Sequence, residues 1–287
     1  FSEKRHYDAL VVGRAGLDLY PQPAGSKTRD AESFASDVGG SGANIAIAMR
    51  RVGGKVGLIS AISDDPVGEF VRKRLDLEGV ELQLMQTTFG DERTSLAIAE
   101  VRQEDCEVVI YRNNPADLRV VFDDNISLAI EQSSNLVVTG TSLIEADSRK
   151  QTLKMMAHAY KNKCKVWLDL DYRKWNWPDQ ETTRLVYQEA ALLANVLVGN
   201  EEEFHLYDAD NTDTRMHDTA RGFAGQTGGL RVKRTEGLKA MEGAATESGF
   251  VRPVRPDIPV GQTGGIPKKY ASPDVLQRQK IRGIIDN

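Results

Sequence analysis

Short apolar runs of strand length alternate with longer segments whose apolar residues return every three or four positions, and this alternation restricts the fold more than any other feature of the sequence. Residues 7–12, 55–61, 135–139, 165–170 and 195–198 are the short runs. Between them, Ile45, Ala48, Met49 and Val52 share one helical face ahead of a stop at Gly53-Gly54. Residues 67–78 form a second helical segment ending at Gly79, and Leu153, Met156, Ala157 and Tyr160 mark a third. Apolar strands with helices between them predict an α/β chain, a doubly wound and mostly parallel sheet with helices on both faces. Residues 94–112 differ, because Leu96, Ile98, Val101, Val108 and Ile110 alternate more loosely around Gln103-Glu104-Asp105, which predicts wet-faced strands joined by a hairpin turn. Beyond about Gly229 neither period is sustained. Residues 235–287 are poorly defined, apart from a closing helix expected over 272–285 with Pro273 in its first turn.

The 287 residues, 40% hydrophobic and 28% charged, suit one large domain rather than a disordered chain. A net charge of −5 supplies no basic field for a nucleic-acid backbone, so no nucleic-acid partner is expected. No apolar stretch approaches the roughly 20 residues that cross a bilayer, so no membrane partner is expected either. The opening residues lack the apolar core of a secretion signal, and Cys106 and Cys164 form no close-spaced pair. A reducing, cytoplasmic compartment follows as the expectation.

Several common motifs fail on inspection. Lys27-Thr28 follows Ser26 where a phosphate loop needs glycine, and Gly39-Gly40-Ser41-Gly42 has Ile45 at the third glycine of a dinucleotide fingerprint. His6, His158, His205 and His217 have no metal-ligand spacing, and no Gly-x-Ser-x-Gly elbow occurs. What remains is Gly39-Gly40-Ser41-Gly42-Ala43-Asn44 opening an amphipathic helix. Small residues let a polyol approach the backbone, the helix start offers N–H donors, and Asn44 offers an amide. A plain glycine turn with a helix cap reads the same way. The neighbours shift the balance. Asp18, Asp64-Asp65-x-x-Gly68, Asp169-x-Asp171-x-Arg173 and Asn200-x-x-Glu203 each follow a predicted strand, and strand ends in an open parallel sheet converge on one crevice. Carboxylates and amides there suit hydroxyls, arginine suits an anion, and the acidic helix start suits a hydrated Mg²⁺.

In this order the motifs resemble the ribokinase-like (pfkB-type) carbohydrate kinase family from Tyr7 to about Gly237, most specifically in Gly39-Gly40-x-x-x-Asn44, residues 169–173 and Val198-Gly199-Asn200-x-x-Glu203. Residues 12–20, Arg93-Thr94-Ser95-Leu96-Ala97, residues 111–117 and residues 168–175 are most similar to the family's sugar-acid branch. The resemblance implies a single domain over residues 1–287 with a small β lid from about 14–38 and 90–119, and a homodimer formed through that lid. It implies ATP and Mg²⁺ as cofactors, and transfer of the γ-phosphoryl group to a hydroxyl of a small sugar acid. Asp18, Gly39, Gly40 and Asn44 would hold sugar hydroxyls, while Asp171 would face the substrate. Arg112 and Arg173 would meet its carboxylate, for which a planar guanidinium is suited; a surface salt bridge is the other reading of either arginine. Asn200 and Lys233 would serve the nucleotide, Lys233 within a segment one residue short of the family pattern. Glu203 would organise Mg²⁺, although acid at a helix N-terminus, stabilised by the helix dipole, explains residues 201–203 equally well.

The resemblance stops at the family's Gly-Ala-Gly-Asp, whose aspartate takes the proton from the sugar. That motif does not occur, and Pro259-Val260-Gly261-Gln262-Thr263-Gly264-Gly265 is followed by no Asp until Asp274. No catalytic base is assigned. An incomplete C-terminal third is the expectation, ahead of a kinase without its chemical step. Other activities that fit are a noncatalytic sugar-acid-binding regulator and a 2-keto-3-deoxygluconate or fructose kinase.

Overall fold

The computed structural model describes residues 5–102 and 106–207, together with the backbone of the strand Gly249–Pro253. Lys233, the glycine segment 259–265, the helix expected over 272–285 and the turn residues Gln103-Glu104-Asp105 lie outside the described residues. The chain divides into two compact units, Phe1–Cys164 and Lys165–Asn287.

The first unit opens with β1 (Ala9–Val12), β2 (Gly16–Gln22) and β3 (Ser33–Gly39), followed by α1 (Ser41–Arg51), β4 (Val56–Ser63), α2 (Pro66–Leu77) and β5 (Met85–Thr88). It continues through β6 (Ser95–Val101), β7 (Cys106–Tyr111), α3 (Asp124–Glu131), β8 (Asn135–Thr139) and α4 (Ala146–Lys161). β1 pairs in parallel with β4 on one side and β8 on the other, and β5 extends the sheet in parallel beyond β4. All four β1 residues are 0–2% exposed, as a strand with both faces covered requires. Val11, Ala46, Ile47, Val56, Leu58, Ile62, Val71 and Leu75 form the core beneath α1 and α2. The face that α1 buries is Gly42, Ala43, Ala46 and Ile47, not the expected Ile45, Ala48, Met49 and Val52: Ile45 and Met49 are only partly buried against the core and Val52 is exposed, because the small residues at the helix start pack closest to the sheet.

Residues 94–112 form the expected hairpin, β6 antiparallel to β7, but it does not join the parallel sheet. It belongs to a second, four-stranded sheet, β3-β2-β6-β7, in which β2 is antiparallel to β3 and parallel to β6. Its strands come from the segments expected to form the lid.

The second unit contains β9 (Lys165–Asp169), α5 (Gln180–Ala191), β10 (Val196–Asn200), α6 (Glu201–Tyr207) and β11 (Gly249–Pro253). β10 runs parallel to β9 and antiparallel to β11. Trp177 meets Tyr187 of α5 edge-on, with ring centroids 5.4 Å apart, and the Tyr187 hydroxyl donates to the Leu170 carbonyl at 2.7 Å. This bond anchors the chain directly after β9.

Candidate active site

The end of β1 and the start of α1 touch backbone to backbone. A Cβ on Gly42 would lie 2.8 Å from the Gly13 Cα, and one on Gly13 would lie 2.5 Å from the Thr139 Oγ1, so any side chain there would force strand and helix apart. Gly40 caps α1 at φ 101°, where a Cβ would sit 2.4 Å from the Arg14 carbonyl oxygen. The Ala43 N–H donates to that same oxygen at 3.1 Å. No side chain caps α1 and no acid lies in its first turn. By contrast, Asp65, Asp123 and Asp179 cap α2, α3 and α5. Asp65, expected at the same mouth, is thus a helix cap. Burial would raise its pKa, but hydrogen bonds from the Gly68 and Val67 amides and from Ser63, with the charge of Arg93, hold it below its ordinary value.

Asp18 stands against this uncapped start. Its carboxylate fills the space beside Gly39, where a Cβ would fall 1.9 Å from Oδ1. Among the described residues, buried Oδ1 accepts no hydrogen bond, while Oδ2 has only the Tyr20 hydroxyl at 3.5 Å. Burial raises the Asp18 pKa, opposed by the charge of Arg14 and the Tyr20 hydrogen bond. Burial, then the charges of Asp18 and Asp37, push Tyr20 up to about 12, so it remains a donor at neutral pH. A buried carboxylate oxygen without a donor is costly, and a ligand hydroxyl is the kind of group that would satisfy it.

Arg112 joins the same neighbourhood through β8. Its Nη2 donates to Asp117 Oδ2 and, at 3.3 Å, to the Thr141 carbonyl. The Thr141 hydroxyl lies 2.8 Å from that of Thr139 and 3.5 Å from that of Ser41, the first residue of α1. Asn44 lies one turn into α1, its side chain exposed and its N–H donating to the Gly40 carbonyl at 2.9 Å. Asp18, Gly39, Gly40, Asn44 and Arg112 are therefore brought together within the first unit. Arg14, Asp117, Thr139 and Thr141 belong with them and were given no role from the sequence, although Arg14 and Asp117 lie in the segments 12–20 and 111–117 that carry the resemblance. Arg14 is buried, with Nη1 donating to the Ser95 Oγ at 2.8 Å. The available signals were a polar Thr-Gly-Thr-Ser run directly after an apolar strand and an aspartate flanked by Ala116 and Leu118.

The other described candidates lie in the second unit. Asp171 is buried with φ 41°, and its Oδ1 lies 3.1 Å from Arg173 Nη2. Arg173 also donates through Nη1 to the Tyr172 carbonyl at 2.7 Å, and its side chain remains 36% exposed. Asn200 and Glu203 close on each other: the Glu203 N–H donates to Asn200 Oδ1 at 2.9 Å and the Asn200 N–H donates to Glu203 Oε2 at 2.8 Å. This is the reciprocal capping-box arrangement. Glu203 Oε1 accepts from the Tyr172 N–H at 2.9 Å, and the residue is 1% exposed. Among the described residues no three His, Cys, Asp or Glu side chains are grouped to hold a metal ion. With both Glu203 oxygens engaged by backbone amides, the described residues do not fit a directly bound Mg²⁺.

The model of the pfkB family carbohydrate kinases matches residues 8–222. The 5-dehydro-2-deoxygluconokinase of Photobacterium profundum is 41% identical over 215 residues, covering 74% of this chain and 65% of that protein. The chain thus spans just under two thirds of that relative's length. Among solved structures, the 2-dehydro-3-deoxygluconokinase of Thermotoga maritima superimposes with a TM-score of 0.68 at 20% identity, covering 77% of this chain and 70% of its own. A fructokinase of Xylella fastidiosa with bound ATP gives a TM-score of 0.58 at 25% identity over 67% of this chain and 60% of its own. These likenesses agree on the fold, a mostly parallel sheet with helices. A match that runs from the first strand past the last described helix leaves one conclusion about kinship: this chain is a member of the pfkB family of carbohydrate kinases.

Proposed function

We propose that the chain works as an ATP-dependent sugar-acid kinase on the terminal hydroxyl of 5-dehydro-2-deoxygluconate, an acid of inositol breakdown. The observation that carries this reading is the unanswered Asp18 Oδ1 beside the uncapped start of α1, linked through Ser41 and Thr141 to the guanidinium of Arg112. Those groups supply what a carboxylated polyol needs: an acceptor for a hydroxyl, glycine-lined backbone, and a charged planar donor for a carboxylate. The similarity to a relative named for this acid supports it over neutral sugars. Arg173 is assigned to the same substrate and Asn200 to the nucleotide, ATP with its Mg²⁺.

In the proposed step the acceptor oxygen attacks the γ-phosphorus, the bond to the bridging oxygen of ADP breaks, and the hydroxyl proton passes to a base. No described residue is assigned that proton. The separate β3-β2-β6-β7 sheet would exclude water, which competes with the sugar as acceptor. Phe34, Val101, Val108, Val109 and Tyr111 of that sheet are exposed, and pairing between two copies through it would cover them. A reducing, cytoplasmic setting suits Cys106 and Cys164, which are both free, and no helix among the described residues is long and apolar enough to cross a membrane.

A coupled assay of ADP release tests the reading, with at least a tenfold preference in kcat/KM for the acid over fructose and ribose expected. Equal turnover of the neutral sugars refutes the sugar-acid assignment. The missing Gly-Ala-Gly-Asp favours one second reading, a noncatalytic sugar-acid binder. It predicts thermal stabilisation by the acid with no ADP released.

A further inference from the structure

We infer that Asp117 is a positioning residue that fixes the Arg112 guanidinium for the acid group of the substrate; this rests on the proposed role of Arg112. The pair is withdrawn from water, with side-chain exposures of 9% for Arg112 and 2% for Asp117. Asp117 sits in a single 3-10 turn, Ala116–Leu118, all three residues of which are buried. That turn is held at both ends. The Ala116 N–H donates to the Arg93 carbonyl at 2.9 Å and the Arg119 N–H donates to the Ala116 carbonyl at 2.9 Å. Asp117 therefore has little freedom, and it transfers that restriction to the arginine.

The atoms engaged show which side is restricted. Arg112 Nη2 meets Asp117 Oδ2 and the Thr141 carbonyl. Nε, on the same side edge of the guanidinium as Nη2, is buried without a partner, as is Asp117 Oδ1. The carboxylate occupies that side edge at one point. Nη1 makes no hydrogen bond to a described residue, so the end of the guanidinium is left to an incoming anion. An arginine without this anchor would spread its charge over many rotamers and lose the orientation a planar carboxylate requires. Asp117 is thus assigned to selectivity for acids over neutral sugars and to no contact with the substrate.

Calorimetric Kd values for 5-dehydro-2-deoxygluconate and for fructose, measured on the full chain and its Asp117→Ala and Asp117→Asn variants, test the inference. Asp117→Ala is expected to weaken the acid about tenfold or more and fructose less than twofold. Asp117→Asn keeps an acceptor for Nη2 and is expected to recover most of the loss. Should Asp117→Ala fail to fold, Asp117→Ser, which also removes the carboxylate, is compared with and without Arg112→Met. A positioning role leaves it without further effect on acid affinity once the guanidinium is gone. Loss of both ligands alike, an unchanged ratio, or an equal effect in the Arg112→Met background overturns the inference. A parent chain that distinguishes the acid from fructose while its Asp117 variants keep the parent ratio overturns this inference alone. A parent that does not distinguish them overturns the functional reading as well.

Discussion

The starts of α1 and α6 follow glycine- and asparagine-marked strand ends of similar appearance, yet the structure treats them in opposite ways. At α1 the cap is Gly40, no side chain reaches the helix start, and the nearby Asp18 has an oxygen with no donor. At α6 the capping groups already have their match: Asn200 and Glu203 exchange hydrogen bonds with each other's backbone amides, and the second Glu203 oxygen holds the Tyr172 amide. An unsatisfied buried group is an energetic debt that a ligand can cancel, whereas a closed capping box contributes stability without one. On the proposed reading the first arrangement receives a ligand, while the second holds the turn after β9 in place.

Three substitutions would break or sharpen this contrast. Gly40→Ala should have the largest effect, because a Cβ there meets the Arg14 carbonyl at 2.4 Å in a backbone conformation that side chains rarely adopt. A loss of about 3 kcal/mol is expected from urea unfolding; a variant as stable as its parent would mean that the α1 start is not rigid. Asp18→Asn should separate stability from binding. Loss of the charged acceptor costs about 1.5–3 kcal/mol of acid binding, roughly 10- to 100-fold in Kd by calorimetry. Because its pKa is raised in the folded state, ionised Asp18 opposes folding, and the stability tied to its protonated form disappears as pH rises through the folded pKa. Asp18→Asn is therefore expected to melt higher than the parent at pH 7, with the difference shrinking in acid where Asp18 is protonated. A lower melting temperature at pH 7 would contradict the account of Asp18 as a strained acceptor. Glu203→Gln should have the smallest effect, a loss of about 1–2 kcal/mol of stability with an unchanged Mg²⁺ requirement for ADP release. A tenfold rise in the Mg²⁺ needed, without loss of stability, would make Glu203 a metal group and end the contrast.

The same contrast explains what could be read from the sequence. The alternation of apolar runs and helical spacing exposed β1, β4, β8, β9 and β10 and the presence of α1, α2 and α4, but not the short parallel strand β5, nor the face of α1 that is buried, where small residues rather than the large apolar ones meet the core. The glycine cluster was legible because close backbone approach leaves only glycine as a solution. Asn200-x-x-Glu203 remained ambiguous, since a spacing of three serves a cap as readily as an active site. Separating the two needed the Tyr172 amide, 31 residues away in the sequence. Arg112 was legible as a cation, but its state depends on Asp117 and on the Thr141 carbonyl, 29 residues distant, and no local pattern encodes that meeting. Asp65 illustrates the opposite error: an acid after a strand suggested the crevice, and the amides of Val67 and Gly68 claimed it.

The backbone contact between Gly13 and Gly42 also bears on how such a molecule could change its diet. With no side chains between strand end and helix tip, this contact offers evolution nothing to alter. New tastes must be acquired from the side chains around it, such as Asp117 and Thr141, and from the strands of the smaller sheet, while the foundation stays as it is.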